Sequence, residues 1–408
     1  MDASRSASTR WLQAYRPGGA RGRRFLAAVC AVVAVGLAGC PAPGGSDGDP
    51  APARLHWQRV ELPAPAGSGR VVLRDLVSCA GHWYAAGAVA DPGGATRPAV
   101  WSSLDGAVWR SVPVVADSYY GRQSVLFSVG CRGGSVAAVG GKVGGAHGNP
   151  RMGTWWQRGD GTLVEVPASF ELYGGPKAVN VSRLAGGAAG WMMVGNRASG
   201  AAAWVSRDAA EFAIVEGAPG LATDDAGVTW AFDVVSGPSG WLVVGGILAP
   251  GRIDRDPAVW TSGDGRVWRR TVLAGTAEYE ELQRVVLVDG VPVAVGLRGR
   301  VFGAWRQDAA GWAAVGGFGG VAGGVPSVGG LAVAGGRVLA VVSDGERYGG
   351  WLSVDRGAGW RPVELPVAAP VGAGRGVGLT AAGGRWWLAV DDGAGTSLWV
   401  GRSDAEPE

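Results

Sequence analysis

The chain has 408 residues, 74 of them glycine and 20 tryptophan, with a formal net charge of +3. Six arginines and one aspartate fall within residues 1–39, a charge of +5, so the rest of the chain carries −2 and offers nucleic acid no basic surface. The glycine and tryptophan excess follows no Gly-X-Y period, which excludes a collagen-like chain and points to many tight turns between short, aromatic-rich strands.

The first 24 residues hold the six arginines, and a 14-residue apolar run follows from Phe25 to Ala38. That run is too short for a membrane-spanning helix, which needs about 20 residues, and a basic segment before a short apolar one is the pattern of a signal peptide. It closes on Leu37-Ala38-Gly39-Cys40, which resembles the lipobox of bacterial lipoproteins and implies cleavage before Cys40 and lipid on its thiol. Arg23-Arg24-Phe25-Leu26 loosely resembles a twin-arginine export signal but lacks the residue between the pair and the phenylalanine, so both export routes stay open. Pro41 to Arg54, rich in Pro, Gly and Ala, has the composition of a tether. The expected organisation is a signal peptide over 1–39, a lipidated tether over 40–54 and one domain over 55–408.

Within that domain a tryptophan followed by a short polar segment and an aspartate recurs seven times: Trp101 to Asp105, Trp156 to Asp160, Trp204 to Asp208, Trp260 to Asp264, Trp305 to Asp308, Trp351 to Asp355 and Trp399 to Asp404. The spacing of 45 to 56 residues is the length of a four-stranded propeller blade. Upstream of the first five copies lies a small-residue apolar run bounded by glycine, at Gly87, Gly140, Gly195, Gly245 and Gly296, which predicts a buried strand ending in a turn. Downstream comes a second aromatic, at Trp109, Phe212, Trp268, Trp312 and Trp360, across a turn whose Asp-Gly chemistry favours a hairpin.

The seventh copy lacks its last strand, and the missing piece stands at the start of the domain. His56-Trp57-Gln58-Arg59-Val60-Glu61-Leu62 matches Gly359-Trp360-Arg361-Pro362-Val363-Glu364-Leu365. The expected fold is therefore all-β, a seven-bladed β-propeller closed by the N-terminal strand of the domain, which leaves no free sheet edge. A pair of β-sandwiches is the main competitor.

Ser353-Val354-Asp355-Arg356-Gly357-Ala358-Gly359-Trp360 matches the Asp-box pattern S-x-D-x-G-x-x-W, with near matches at Ser103 to Trp109 and Ser262 to Trp268 and a weaker one at Ser206 to Phe212. On these residues the domain resembles the sialidase-like propellers with Asp-box (BNR-type) repeats. The resemblance implies the architecture; in that family the box is a structural turn remote from catalysis. Sialidases add a tyrosine nucleophile, an acid/base Asp, a Glu partner, three arginines and an early Arg-Ile-Pro motif. That motif is missing here, and the nearest string, Arg252-Ile253-Asp254, lies mid-chain.

Other chemistry is sparse. His56, His82 and His147 stand far apart, with no zinc-ligand spacing, and no G-x-S-x-G nucleophile elbow occurs. Gly317 to Ala322 fits a blade-connecting loop better than a dinucleotide fingerprint. Asp224, Asp225, Asp254 and Asp256 could ligate calcium, although solvated loop acids fit as well. No catalytic residue, metal or cofactor is assigned. Cys79 and Cys131 remain as a pair in an oxidising compartment; their matching positions favour a bridge, while equivalent positions on adjacent blades can exceed the Cα separation of about 4.4–6.8 Å that a bridge needs.

Ligands of propellers gather on the face formed by the loops entering each innermost strand and those between the second and third strands. Three of the latter are long, Ala88 to Pro98, Gly141 to Met152 and Ile247 to Pro257, and carry Arg97, Lys142, Arg151, Arg252 and Arg255. The entry loops bring Arg70, Arg122, Tyr119, Tyr120, Tyr173 and Tyr279, residue types that anchor interfaces. The expectation is a monomeric, lipid-anchored extracytoplasmic module on the cell membrane that binds an envelope protein or glycan. A sialidase-like glycan-active enzyme and a scaffold or assembly factor for an envelope complex are the alternatives.

Overall fold

The computed structural model describes residues 52–63, 69–144 and 150–403; the signal segment, Cys40 and His147 lie outside them. Seven β-sheets stand in a ring as a β-propeller. In the first blade the chain runs outward through Arg70–Cys79, His82–Ala90, Thr96–Ser103 and Trp109–Val112. The later innermost strands are Val125–Arg132, Ala178–Gly187, Val228–Gly237, Glu280–Val288, Ser327–Ala334 and Gly376–Ala382, one per blade around the axis. The second blade gains a fifth strand, Val114–Val115, parallel to its outermost strand Leu163–Glu165.

The ring closes as the sequence match requires. Leu55–Val60 pairs antiparallel with Thr396–Ser403, Leu55 opposite Ser403 and Val60 opposite Leu398, and so becomes the outermost strand of the seventh blade. The upper face carries the connections between blades and the loops from second to third strands. The lower face carries the inner hairpins, such as Gly335-Gly336, and the turns after the third strands.

Second strands are flanked by strands on both sides and by the neighbouring blades, so they are the most deeply buried of each sheet: Gly190–Arg197 is buried throughout. The third-strand indoles of Trp101, Trp155, Trp204, Trp260 and Trp305 are at most 1% exposed, and each packs in the layer shared with the preceding blade. Those of Trp101, Trp155, Trp260 and Trp305 find no acceptor for the ring N–H, so their contribution is packing, about 1.5–3 kcal/mol per large apolar side chain. In the second blade the buried indole is Trp155; Trp156, the expected one, is half-buried, because Trp155 opposes Ala138 in register.

The glycines expected to end the second strands lie inside them, as in His82–Ala90 through Gly87 and Val291–Arg298 through Gly296. The reason is a β-bulge in six of the seven innermost strands, between Leu73 and Asp75, Leu126 and Ser128, Val181 and Arg183, Ala231 and Asp233, Leu282 and Arg284, and Val328 and Gly330. The bulge pushes the inner backbone against its partner. A Cβ on Gly87 would stand 1.7 Å from Val72 O, and one on Gly296 1.8 Å from Glu281 O.

The turns after the third strands share one hydrogen-bond scheme. Ser353 Oγ accepts from Gly357 N–H (2.9 Å), Asp355 Oδ1 accepts from Gly359 N–H (2.8 Å), and Trp360 Nε1 donates to Gly357 O (2.9 Å). Ser103, Asp105 and Trp109 repeat it. Ser262 and Asp264 do so without the indole bond.

Candidate functional site

The upper face of the second blade holds a cleft of about 470 Å³ between the segments 117–120 and 167–174. Glu165 pins the first segment: its carboxylate accepts from Asp117 N–H (2.8 Å), Ser118 N–H (2.9 Å) and the Ser118 hydroxyl (2.6 Å). Gly121 must be glycine for this, because a Cβ there would stand 2.2 Å from the Glu165 carboxylate. One helical turn, Phe170–Tyr173, forms the opposite wall. Its Tyr173 is buried, with its hydroxyl 3.3 Å from Thr154 Oγ1; burial raises the phenol pKa, so Tyr173 is a neutral floor.

Arg151 lies between the walls, its guanidinium 4.4 Å from the Phe170 ring centre and 5.6 Å from that of Tyr120. Its Nε is buried without a partner, and among the described residues it forms no ion pair, since Glu165 is taken up by the loop. Tyr119 stacks edge-on against Tyr120 at 5.2 Å and is 66% exposed, while Phe170 is 53% exposed. The cleft thus offers flat apolar surface around a partly buried cation that no carboxylate matches among the described residues.

The other expected rim residues lie elsewhere. Arg122 sits in the 3-10 turn Gly121–Gln123, exposed, donating to Asp117 O. Arg70 opens the innermost strand of the first blade and, with Arg74, binds the buried carboxylate of Asp391 in the seventh, at 3.1 and 2.6 Å. Tyr279 joins a cluster between the fourth and fifth blades. Arg255 lies 3.7 Å over Trp230 and donates to Glu281 (2.6 Å) and to Tyr279 Oη (2.9 Å), while Tyr279 donates to Glu281 (2.6 Å). Burial and the Glu281 charge raise the Tyr279 pKa, outweighing Arg255.

The expected long loops are shorter than their sequence limits, since strands extend to Ala90, Val143 and Leu248 and resume at Thr96, Pro150 and Asp256. Two of the four loop acids are engaged as well. Asp224 binds Arg270 (2.6 Å) and Asp256 binds Arg252 (2.9 Å). Among the described residues no three His, Cys, Asp or Glu converge to hold a metal.

Four axial charges escaped the sequence reading. Asp75, Arg183, Asp233 and Arg284 each stand just after a bulge in their innermost strands. Asp75 Oδ2 accepts the N–H of Val129 in the next blade (2.9 Å), and Asp233 Oδ2 that of Val285 (3.0 Å). Arg183 pairs with Asp75 at 3.1 Å. Burial opposes the Arg183 charge, but Asp75 and Asp233 outweigh it and hold its pKa above the ordinary value. Burial likewise pushes Asp233 up against the pull of Arg284 and Arg183. Arg284, buried and beside Arg183, is lowered to about 10. The signal was present as a charge two residues beyond an apolar one in each innermost strand, but only the bulge register reveals that these residues meet. Nearby, Cys79 and Cys131 form a disulfide with Cα atoms 5.4 Å apart, because innermost strands converge at the axis.

No protein-family model matches the chain, and no curated protein matches it. Among solved structures, the β-propeller domain of the Trilobed protease from Pyrococcus furiosus superposes with a TM-score of 0.51 at 9% identity, over 84% of this chain and 96% of that one. That propeller has an open velcro topology, whereas here the strand Leu55–Val60 closes the ring. A mutant Trypanosoma rangeli sialidase gives a TM-score of 0.42 at 12% identity over 86% of this chain, which spans 59% of that protein. The periplasmic gluconolactonase of Pseudomonas aeruginosa gives 0.46 at 13% identity, over 72% and 83%. At such identities the likeness concerns the fold alone.

Proposed function

We propose that the chain is a lipid-anchored, extracytoplasmic propeller that binds an envelope protein or glycan through the cleft of the second blade, without turnover. The observation that carries this reading is Arg151, a cleft-lining cation held between Tyr120 and Phe170 with no carboxylate partner among the described residues. No carboxylate pairs with this guanidinium among the described residues, so a carboxylate or carbonyl of a ligand in the cleft would meet a cation free to form a charge-assisted hydrogen bond. Exposed aromatic surface beside a polar anchor is the composition of binding hot spots. The segment Phe25 to Cys40 supports anchoring, and the Ser-x-Asp turns support kinship with Asp-box propellers. The missing Arg-Ile-Pro motif weighs against the sialidase-like alternative.

The test is capture from solubilised envelope and from cell-wall glycan by the immobilised chain, compared with the Arg151→Ala/Phe170→Ala variant. The expected result is a species retained by the parent and lost by a variant of unchanged melting temperature. Equal retention by both, or turnover of a glycan that survives both substitutions, contradicts the proposal.

A further inference from the structure

The chain enters the ring from its lower edge. Ala53 donates its N–H to Pro362 O (2.9 Å) and bridges Val363 of the sixth blade, and Leu55 then pairs with Ser403 at the lower end of the seventh. Beside this entry lies a groove of about 500 Å³, lined by Asp289, Arg306, Arg337, Val354, Asp355 and Arg356 among others. Its two acids are engaged: Asp289 by Arg356 at 3.0 Å, and Asp355 by the Ser353 hydroxyl and Gly359 N–H. Arg306 donates only to a backbone carbonyl, that of Asp355, and Arg337 to the Ser403 hydroxyl. Neither pairs with a carboxylate among the described residues, so the groove keeps an excess of positive charge. The contact from Arg337 to Ser403 links it to the entry strand.

Apolar tips flank the same edge. Val354, at the groove, is 57% exposed; on the other side of the seventh blade the turn of the first blade exposes Leu104 (71%) and Val108 (60%). Side-chain and backbone hydrogen bonds hold both turns, so these aliphatic groups are held outward.

Twelve residues separate Cys40 from Ala53, and fully extended they reach about 45 Å. The eight-residue strand Thr396–Ser403 rises about 26 Å. Turning the upper face to the anchoring surface would use most of that reach along the side of the blade, whereas the lower face needs almost none.

Resting on the lipid-anchor reading, we infer that the lower face between the fifth and first blades sits on an anionic phospholipid bilayer, with a headgroup phosphate in the Arg306–Arg337–Arg356 groove and Val354, Leu104 and Val108 in the interface. The second-blade cleft then faces away from the membrane.

Every blade lies within residues 52–403, so the chain 40–408 retains the whole ring. Coupled through Cys40 to a maleimide-headed phospholipid in phosphatidylcholine and phosphatidylglycerol vesicles, it carries a fluorescent amino acid in place of Val354 or of Tyr119. Lipid-borne quenchers should dim the first probe and spare the second. Uncoupled chain should bind the same vesicles, about five-fold more weakly for each of Arg306→Gln and Arg337→Gln, the scale of one arginine beside an anionic surface. Quenching of the Tyr119 probe as strong as that of the Val354 probe overturns the inference. So does vesicle binding unaffected by the two substitutions, or abolished by inorganic phosphate at constant ionic strength, which would make the groove a site for free phosphate. Chemical coupling keeps this test independent of lipidation in cells, which the mass of the Cys40 peptide from membranes decides separately.

Discussion

Arg183 of the third blade binds Asp75 of the first at 3.1 Å, passing the second blade, whose matching residue is the small Ser128. Two blades that are not neighbours in the ring are thereby joined by one charge-assisted contact. Removing Arg183 leaves the Asp75 and Asp233 carboxylates with Arg284 as the one remaining cation of the quartet. Arg183→Met is expected to cost about 3–5 kcal/mol, the range for breaking one side of a buried pair. Asp75→Asn combined with it should cost less than the sum of the single changes, because the uncompensated charge is then gone. Urea unfolding followed by tryptophan fluorescence measures both, and strict additivity would show that the two residues act apart.

The bulge-facing glycines make a sharper contrast. Gly296→Ala places a methyl 1.8 Å from Glu281 O, so the fifth blade must lose its bulge or part from its second strand, and a loss above about 3 kcal/mol is expected on the scale of severe overpacking and strain. Gly263→Ala, where no atom stands within 4 Å and φ is ordinary, should fall within about 0.5 kcal/mol of the parent. Equal melting temperatures for the two variants would refute this account of the repeat.

Cys79 and Cys131 close a loop of 52 residues between the first two blades. Loop-closure entropy for that length amounts to about 4 kcal/mol. The double Cys→Ser variant should therefore unfold at clearly lower denaturant than the parent, and reduction of the parent should reproduce the shift. No shift on either treatment would mean that the ring constrains these strands without the bridge.

Acid tests the lower turns. Val108 and Ala107 N–H groups hold the Asp105 carboxyl below the ordinary 3.8, and Val267 and Arg266 N–H groups do the same for Asp264. A depressed carboxyl pKa contributes stability that is complete above the unfolded value and is lost as pH falls through the folded one. The melting temperature should thus hold from about pH 7 to 5 and drop below about pH 4. Asp105→Asn/Asp264→Asn should lower it at neutral pH and flatten the acid decline. A decline of unchanged slope would place the acid sensitivity elsewhere.

How far the sequence carried the structure follows from the range of the interactions. Blade number and closure were legible because they are written in local patterns: the tryptophan to aspartate spacing, and the match of Trp57 to Trp360. The role of the glycines was misread, because a turn and a bulge contact look alike until register is known. The cleft was legible in parts. Tyr119, Tyr120, Tyr173 and Arg151 were all singled out, but Glu165 and Phe170, which shape it, carry no motif. That the axial quartet meets was not legible, since Asp75 and Arg183 are 108 residues apart and come together only through the curvature of the ring.

The central claim is that Arg151 and Phe170 form the face on which a partner sits. A photo-crosslinking amino acid placed at Phe170, in cells producing the full chain, tests it most directly, with Val272 on the exposed edge of the fourth blade as the control site. The account predicts one discrete protein or glycan adduct from position 170, absent from position 272 and lost with Arg151→Ala. No adduct at 170, or the same adduct from both positions, would contradict it.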